Sequence, residues 1–246
     1  MKYMGSKSRI AKHIVPIIQT YINIYRVENY CEPFVGGANI IDKVKAKHKY
    51  GYDNQKYLIA LYNNLNRLNE LPKTVTKEHY SDARDSFNNG DKRYEDWYIG
   101  AIGFLSSCNG RFFDGGYAGL VSDGAGNNRS YYDEARRNLE SQVNSLRGIE
   151  FIHQSYTNIR KDISGWLFYC DPPYKDTKQY NSSKNFNHDE FWEWVRDMSK
   201  NNIVIVSECQ APDDFDIMWE KDVTRSMAIT NRDTSKEKLF MHNSIS

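Results

Sequence analysis

Hydrophobic spacing in the first 70 residues alternates between the helical period and short continuous runs. The pattern predicts five elements in this order: a helix over 8–24, a strand over 29–35, a helix over about 38–47, a strand over 50–53 and a helix over 55–70. The first strand runs into a double glycine, and the second ends in a carboxylate. A strand, a glycine turn, a helix, a strand and an acid in this order are typical of a doubly wound α/β sheet.

The pattern changes between about 72 and 147. Helix-like segments there flank a loop at 108–132 that is rich in glycine, asparagine and aromatic residues, and loops of that length are usually functional. Further elements are predicted beyond it: strands over 149–153, 166–170 and 201–208, a helix over about 187–200, and antiparallel strands from 216 onwards. The sheet is thus interrupted once, by an inserted helical lobe.

Composition narrows the class of protein. The 246 residues are 39% hydrophobic and 26% charged, which is typical of a globular chain. No apolar run approaches the roughly 20 residues that span a bilayer, and polar residues interrupt the N-terminal helix. We therefore expect a cytoplasmic protein that does not contact membranes. The four cysteines are scattered without metal-ligand spacing, so we expect free thiols and no metal site.

The net charge of +1 does not by itself indicate a nucleic-acid-binding protein. Such a protein would need its basic residues gathered on one face. Residues 43–49 (KVKAKHK) permit such a face, although a charge run is more often a solvated helix surface.

The strongest chemical signal is Asp171-Pro172-Pro173-Tyr174, directly after the apolar strand at 166–170. Ligands of open α/β sheets bind at the carboxyl ends of the strands. A carboxylate and a proline carbonyl there can both accept hydrogen bonds from the exocyclic amine of adenine and stabilise the positive charge of its attack. The tyrosine ring offers a stacking face to an extruded base. The plainer alternative is a proline turn with a capping aspartate.

Two further features fit a nucleotide-like cofactor. The glycines of Glu32-Pro33-Phe34-Val35-Gly36-Gly37-Ala38-Asn39 let the backbone approach a ligand closely. Asp53 ends the next strand, where a carboxylate suits a grip on ribose hydroxyls. Each feature alone is weak, because most double glycines are only turns and Asp53 could instead cap the helix at 55–70.

Four motifs in this order resemble the Dam-type, D12-class DNA adenine-N6 methyltransferases. They are Lys2-Tyr3-Met4-Gly5-Ser6-Lys7, then EPFVGGAN, then Tyr52-Asp53-Asn54, then DPPY, with a helical insertion before the last. The resemblance implies a Rossmann-like, three-layer αβα fold with a mixed seven-stranded sheet. It places the catalytic domain at 1–56 and 148–246 and an inserted DNA target-recognition domain at 57–147.

The resemblance also implies roles for individual residues. Tyr3 and Lys7 would contact the methionine end of S-adenosylmethionine, the turn from Phe34 to Gly37 would pass beneath it, and Asp53 would hold its ribose. The residues assigned to the cofactor are Tyr3, Lys7, Phe34, Val35, Gly36, Gly37, Asp53, Asn54, Ser155, Tyr156 and Asp171. The residues assigned to catalysis are Asp171, Pro172, Pro173 and Tyr174, and those assigned to DNA are Asn109, Arg111 and Arg129.

The sequence departs from the family pattern at two places. Ser155-Tyr156 stands where an Asp-Phe pair usually contacts the adenine of the cofactor, so the carboxylate is missing while the ring remains. Ala38 stands where a third glycine is common, which is a mild change if φ there is negative. The tail NRDTSKEKLFMHN resembles the closing segment of the family.

Several alternatives remain open at this point. Cytosine N4 could use the same acceptors, and a non-catalytic DNA-binding protein could retain the scaffold. A nicotinamide oxidoreductase is the third alternative, although Gly-x-Gly-x-x-Gly is missing. The expected partner is double-stranded DNA and the expected state a monomer, with a dimer on DNA as the alternative. Residue usage hints at a phage or low-GC bacterium, and a role in restriction-modification stays open.

Overall fold

The computed structural model describes residues 1–122, 128–174, 186–224 and 234–245. The helices of these ranges are α1 (Ala11–Tyr25), α2 (Lys56–Tyr62), α3 (Lys77–Asn89), α4 (Asp96–Leu105), α5 (Tyr131–Leu146) and α6 (His188–Ser199). The strands are β1 (Asn29–Glu32), β2 (His48–Asp53), β3 (Leu120–Ser122), β4 (Asn128–Ser130), β5 (Ile149–His153), β6 (Trp166–Cys170), β7 (Ile203–Glu208), β8 (Phe215–Thr224) and β9 (Thr234–His242). Short 3-10 turns include Lys7–Arg9, Leu65–Glu70 and Tyr156–Asn158.

Seven strands form one mixed sheet in the order β5-β2-β1-β6-β7-β9-β8. The first five are parallel, whereas β9 runs antiparallel to both β7 and β8. The predicted mixed sheet and its antiparallel tail are confirmed. The parallel strands end at one edge, and β9 begins at that same edge because it runs in the opposite direction.

Helices cover both faces of this sheet. Alternate residues of the central strands point to opposite faces: Leu167 and Tyr169 pack with α1 and α2, while Phe168 and Cys170 pack with α6. β7 is buried along its whole length, as a strand covered on both faces should be. The expected three-layer αβα arrangement is therefore confirmed.

The insertion consists of α3, α4, α5 and the antiparallel hairpin of β3 and β4. α4 carries mostly apolar buried side chains and packs against α2. One continuous core joins the insertion to a face of the sheet. α2 begins at the expected domain boundary and contacts β2 and β5 as well as α4. The division at residue 57 stays a prediction.

The predicted helix over 38–47 is wrong. Residues 39–43 form turns, because Ala38 adopts a left-handed φ of 53° and the Asn39 amide binds the Met1 carbonyl at 3.0 Å instead of facing solvent. The basic residues 43–49 therefore do not form a helix surface. The four lysines of this segment line a groove of about 790 Å³ together with Arg26.

Two other predicted elements are shorter than expected. β1 ends at Glu32, before Pro33, rather than at 35. The helix at 55–70 stops at Tyr62 and continues only as a 3-10 turn. The side-chain amide of Asn63 donates to the Phe151 carbonyl, and that of Asn64 donates to the Ala60 carbonyl. Both side chains thus compete with backbone N–H groups for hydrogen-bond acceptors.

The remaining predicted strands are confirmed within two residues, as is the helix at 187–200. No helix within the described ranges is long and apolar enough to cross a bilayer.

The close approach of α2 and α4 depends on Gly100. A Cβ at this position would overlap the carbonyl oxygen of Tyr57. In an isolated helix, alanine is favoured over glycine by about 1 kcal/mol. We expect Gly100→Ala instead to lower the free energy of unfolding by about 1–3 kcal/mol, because backbone cannot yield as a side chain can. Urea denaturation measures this. The exposed control Ser141→Ala should change it by less than about 0.5 kcal/mol, and a stabilised Gly100→Ala protein would contradict the packing.

Candidate active site

Asp171 leaves the carboxyl end of β6 and meets Lys7 from the N-terminal 3-10 turn. The Lys7 ammonium lies 2.9 Å from Asp171 Oδ1, and both side chains are largely buried. Pro172 is also buried. The structure thus brings together two predicted site residues that are far apart in the chain.

Glu237 of β9 is part of the same cluster and was missed by the sequence analysis. Its Oε1 lies 3.4 Å from the Lys7 ammonium and accepts hydrogen bonds from the hydroxyls of Tyr174 and Ser207. Glu237 is 6% exposed. The likeness of the tail to the family's closing segment was the one available signal. Residues 231–233 of that tail lie outside the described residues, whereas Glu237 lies in the described range 234–245.

The cluster holds two carboxylates against one ammonium. Burial raises the pKa of Asp171 to about 6; the Lys7 charge opposes this rise and the Glu237 charge adds to it. Burial lowers the pKa of Lys7, but the attraction of Asp171 and Glu237 outweighs it, so that pKa is raised overall. Lys7 is therefore a fixed positive charge, whereas Asp171 changes charge near neutral pH.

Tyr174 is oriented by both ends of its side chain. Its hydroxyl contacts Glu237 and lies 3.2 Å from Ser207 Oγ, and the Lys7 ammonium stands 4.4 Å from its ring centroid. Burial, followed by the charges of Asp171 and Glu237, raises its pKa well above 10. The ring is thus a neutral, positioned aromatic surface beside the carboxylate.

The glycine turn lies between Tyr3, Asp53 and Tyr62. Gly36 has a φ of 44°, and a Cβ there would lie 3.0 Å from the Tyr3 ring. The Gly36 amide donates to Asp53 Oδ2 at 3.0 Å, and the Tyr62 hydroxyl donates to the Gly36 carbonyl at 2.7 Å. The backbone of this turn is therefore fixed from both sides.

Asp53 is not the cap of the following helix. Gln55 is the N-cap of α2, and its backbone N–H donates to Asp53 Oδ1 at 2.9 Å. Both carboxylate oxygens thus accept backbone amides, and the Asn54 backbone adds a further hydrogen bond. Burial raises the pKa of Asp53, while these backbone hydrogen bonds oppose the rise.

Alanine in place of the third glycine would be a mild change only at a negative φ. The φ of Ala38 is positive, so the change is not mild.

Phe34 and Tyr156 meet in an aromatic cluster next to the glycine turn. Their ring centroids are 5.2 Å apart, and both rings contact Phe186 and Phe191. Tyr156 is only 7% exposed. Ser155 Oγ accepts the Thr157 amide at 3.3 Å and thereby caps a 3-10 turn.

Val35 and Asn54, two further residues assigned to the cofactor, also make backbone contacts. Val35 is buried, and its amide extends the strand pairing to the Tyr52 carbonyl at 2.8 Å. The Asn54 carbonyl lies 3.2 Å from the His153 ring. Gly37 lies against Tyr3, because a Cβ on Gly37 would be 2.8 Å from the Tyr3 Cβ.

The three residues assigned to DNA lie on the insertion. Arg129 of β4 is 59% exposed and pairs with Glu134 at 2.9 Å, and Glu134 also pairs with Lys2 at 2.7 Å. Asn109 is exposed with a φ of 58°, whereas Arg111 is partly buried. A Cβ on the intervening Gly110 would overlap the Lys2 carbonyl, so this loop lies directly on the N-terminal segment.

Comparison with solved structures finds proteins with little sequence likeness. They include a conserved hypothetical protein of Streptococcus pyogenes with 6% identity, a candidate rRNA methylase of Clostridium thermocellum with 9%, and a candidate methylase of Haemophilus influenzae with 10%. The alignments cover 88%, 92% and 96% of this chain and 86%, 96% and 99% of the others, with TM-scores of 0.36, 0.38 and 0.36. These scores are too low to support conclusions about activity. No curated protein matches the chain.

The family model of the D12 class N6 adenine-specific DNA methyltransferases matches residues 3–201. The match confirms the resemblance seen in the sequence. It favours an enzyme that methylates adenine N6 in DNA over the cytosine, non-catalytic and nicotinamide alternatives. The chain belongs to the D12 class of N6 adenine-specific DNA methyltransferases.

Proposed function

We propose that the chain uses S-adenosylmethionine to methylate an adenine that is extruded from a specific site in duplex DNA. The observation that carries this proposal is the position of Asp171. Asp171 lies at the carboxyl edge of the sheet, next to a rigid proline carbonyl, and pairs with Lys7. It follows β6, and β6 pairs with β1, the strand that leads to the glycine turn.

The residues at the turn fit this cofactor. Gly36 and Gly37 have no side chain where a Cβ would meet Tyr3, so the backbone passes close beneath the site. Asp53 lies beside the turn, where its carboxylate would accept from the ribose, and Phe34 and Tyr156 would provide an aromatic wall for a purine. S-adenosylmethionine, when bound, supplies an electrophilic methyl group on a positively charged sulfur.

Asp171 and Pro172 would accept hydrogen bonds from the two N6 protons of the target adenine. Both acceptors favour a nitrogen whose lone pair is free to attack, and both stabilise the positive charge that the nitrogen acquires on methylation. One of its protons must then leave, and the Asp171 carboxylate is placed to receive it. Asp171 and Glu237 together carry one more negative charge than Lys7 neutralises. This excess charge stabilises the positively charged, methylated nitrogen in the buried site.

Lys7 has a different role here from the one that the resemblance implied. Its ammonium is directed at Asp171 and Glu237 and stands over Tyr174. We propose that it orients the carboxylate and the ring, and that Tyr174 stacks on the extruded base. Tyr3, against the glycine turn, remains assigned to the cofactor together with Asn54 and Ser155.

The three residues of the insertion that were assigned to DNA would approach the duplex. Arg129 belongs to a hairpin, and Asn109 and Arg111 lie on the loop that touches the N-terminal segment. Contacts to phosphate would position the DNA, and contacts to base edges would select the sequence.

Asp171→Asn tests the central step. Asparagine keeps the shape but removes the charge and places a donor where an acceptor is needed. We expect kcat to fall by about 10²–10³-fold or more, while binding of duplex DNA changes little. Transfer of labelled methyl to unmethylated DNA, followed by nucleoside analysis, measures this. The exposed control Asp162→Asn should retain activity. Full activity of Asp171→Asn would contradict the proposal.

The pH profile tests the charge of the same group. The carboxylate form is required, so we expect kcat/KM to fall as the pH drops through about 6, the pKa to which burial raises Asp171. Removing the Glu237 charge removes one cause of that rise, so Glu237→Gln should move the acid limb to lower pH. The matched control Glu193→Gln on α6 should leave the limb in place. A limb that does not move in Glu237→Gln would contradict this electrostatic account.

Salt dependence tests the assignment of Arg129. A phosphate contact releases about one counterion, so we expect Arg129→Gln to reduce the slope of log K against log salt by about 1. Titration of duplex DNA at several salt concentrations measures the slope. Arg160→Gln, an exposed control outside the insertion, should leave it unchanged. An unchanged slope in Arg129→Gln would remove this residue from the interface.

A further inference from the structure

Gln142 of α5 lies against the segment that follows the glycine turn. Its side-chain nitrogen donates to the Ala38 carbonyl at 2.9 Å and to Asp42 Oδ2 at 2.9 Å, with a longer contact of 3.5 Å to the Gly37 carbonyl. Its side-chain oxygen accepts from the backbone nitrogen of Met1. Gln142 is 6% exposed. An amide buried with this many contacts is a structural junction.

The chemistry of the neighbours determines which way the amide faces. The nitrogen meets a carbonyl and a carboxylate, which can only accept, and the oxygen meets a nitrogen that donates. The opposite orientation would place oxygen against two oxygens. Both N–H groups are therefore used, and one of them satisfies the carbonyl of the fully buried Ala38.

Ala38 needs such a partner because its backbone is strained. Its φ of 53° lies in the left-handed region, which an L-residue with a Cβ rarely adopts. Residues in this region persist only where the surrounding structure fixes them, and they cluster at functional sites. Gln142 is one of the groups that fix this turn, with Asp53 and Tyr62 holding Gly36 from the other side.

Unlike those two residues, Gln142 lies on the helix that leads out of the DNA-binding insertion. α5 begins directly after β4, which carries Arg129. Glu134 in its first turn pairs with both Arg129 and Lys2. Gln142 lies eight positions after Glu134, which is about 12 Å along a helix. A single rigid element therefore joins the proposed DNA contact to the proposed cofactor turn.

We propose that Gln142 is a positioning residue that couples DNA binding to cofactor binding, by fixing the strained turn at Ala38 to helix α5. The inference rests on the cofactor and DNA sites proposed above. A shift of α5 on DNA changes the position of the Ala38 carbonyl, and with it the backbone that lies beneath the cofactor. By linkage, the cofactor changes DNA affinity by the same factor.

The test is a thermodynamic cycle with S-adenosylhomocysteine as the probe. Its Kd is measured by calorimetry on the full chain, alone and with saturating unmethylated duplex fragments, and the ratio of the two values is the coupling factor. We expect a factor of about 5 or more for the natural chain. Gln142→Leu should weaken binding without DNA and bring the factor close to 1.

Two variants separate positioning from general destabilisation. Leu139→Ala, at a fully buried position one turn earlier on α5, loses stability but keeps every contact to the turn, so its coupling factor should stay unchanged. Adding Ala38→Gly to Gln142→Leu gives the turn a residue that tolerates a positive φ. This double variant should regain cofactor affinity and folding, but not coupling.

The outcomes separate the proposed cofactor site from the proposed role of Gln142. A natural chain that binds no S-adenosylhomocysteine would overturn the proposed cofactor site itself. A natural chain that binds it with a coupling factor of 1 would overturn only the role of Gln142. The same conclusion would follow if Gln142→Leu, alone or with Ala38→Gly, kept the natural factor.

Discussion

The buried contact between Lys7 and Asp171 is the interaction on which the site depends. Removing Lys7 would leave two buried carboxylates without a counter-charge, and leaving a buried charge uncompensated typically costs about 3–5 kcal/mol. The pair joins the first turn of the chain to the end of β6, and Glu237 adds the start of β9. Three segments that are distant in sequence are thus held together at one edge of the sheet.

The residues at that edge were predictable from sequence, because the place of each depends only on the strand directly before it. A buried strand followed by a carboxylate places the acid at the carboxyl end, and parallel strands share that end. DPPY and Asp53 could therefore be placed at this edge from their positions, whereas the roles predicted for them came from the family resemblance. Glu237 could not, since its place depends on the register of an antiparallel strand that returns through residues with no distinctive motif. Ser207 was missed for the same reason, as a small polar residue inside an apolar run.

The wrong helix at 38–47 and the broken helix at 55–70 have a common cause. Both segments have helical spacing, but side chains at decisive positions bind elsewhere: Asn39 to the N-terminal segment, and Asn63 to β5. Such contacts override local propensity. The first of them also shapes the site, because a regular helix after the glycine turn would not present the Ala38 carbonyl to α5.

The helices of the insertion pack into the same core as the sheet rather than forming a separate unit. Gly100 brings α4 onto α2, and α5 carries polar contacts to both the N-terminal segment and the glycine turn. The insertion and the sheet therefore share one core. The most direct test of the account is a structure with S-adenosylhomocysteine and target DNA. The account predicts the adenine N6 within about 2.7–3.2 Å of Asp171 and the Pro172 carbonyl. A structure in which the base binds elsewhere and Asp171 contacts only Lys7 would contradict it.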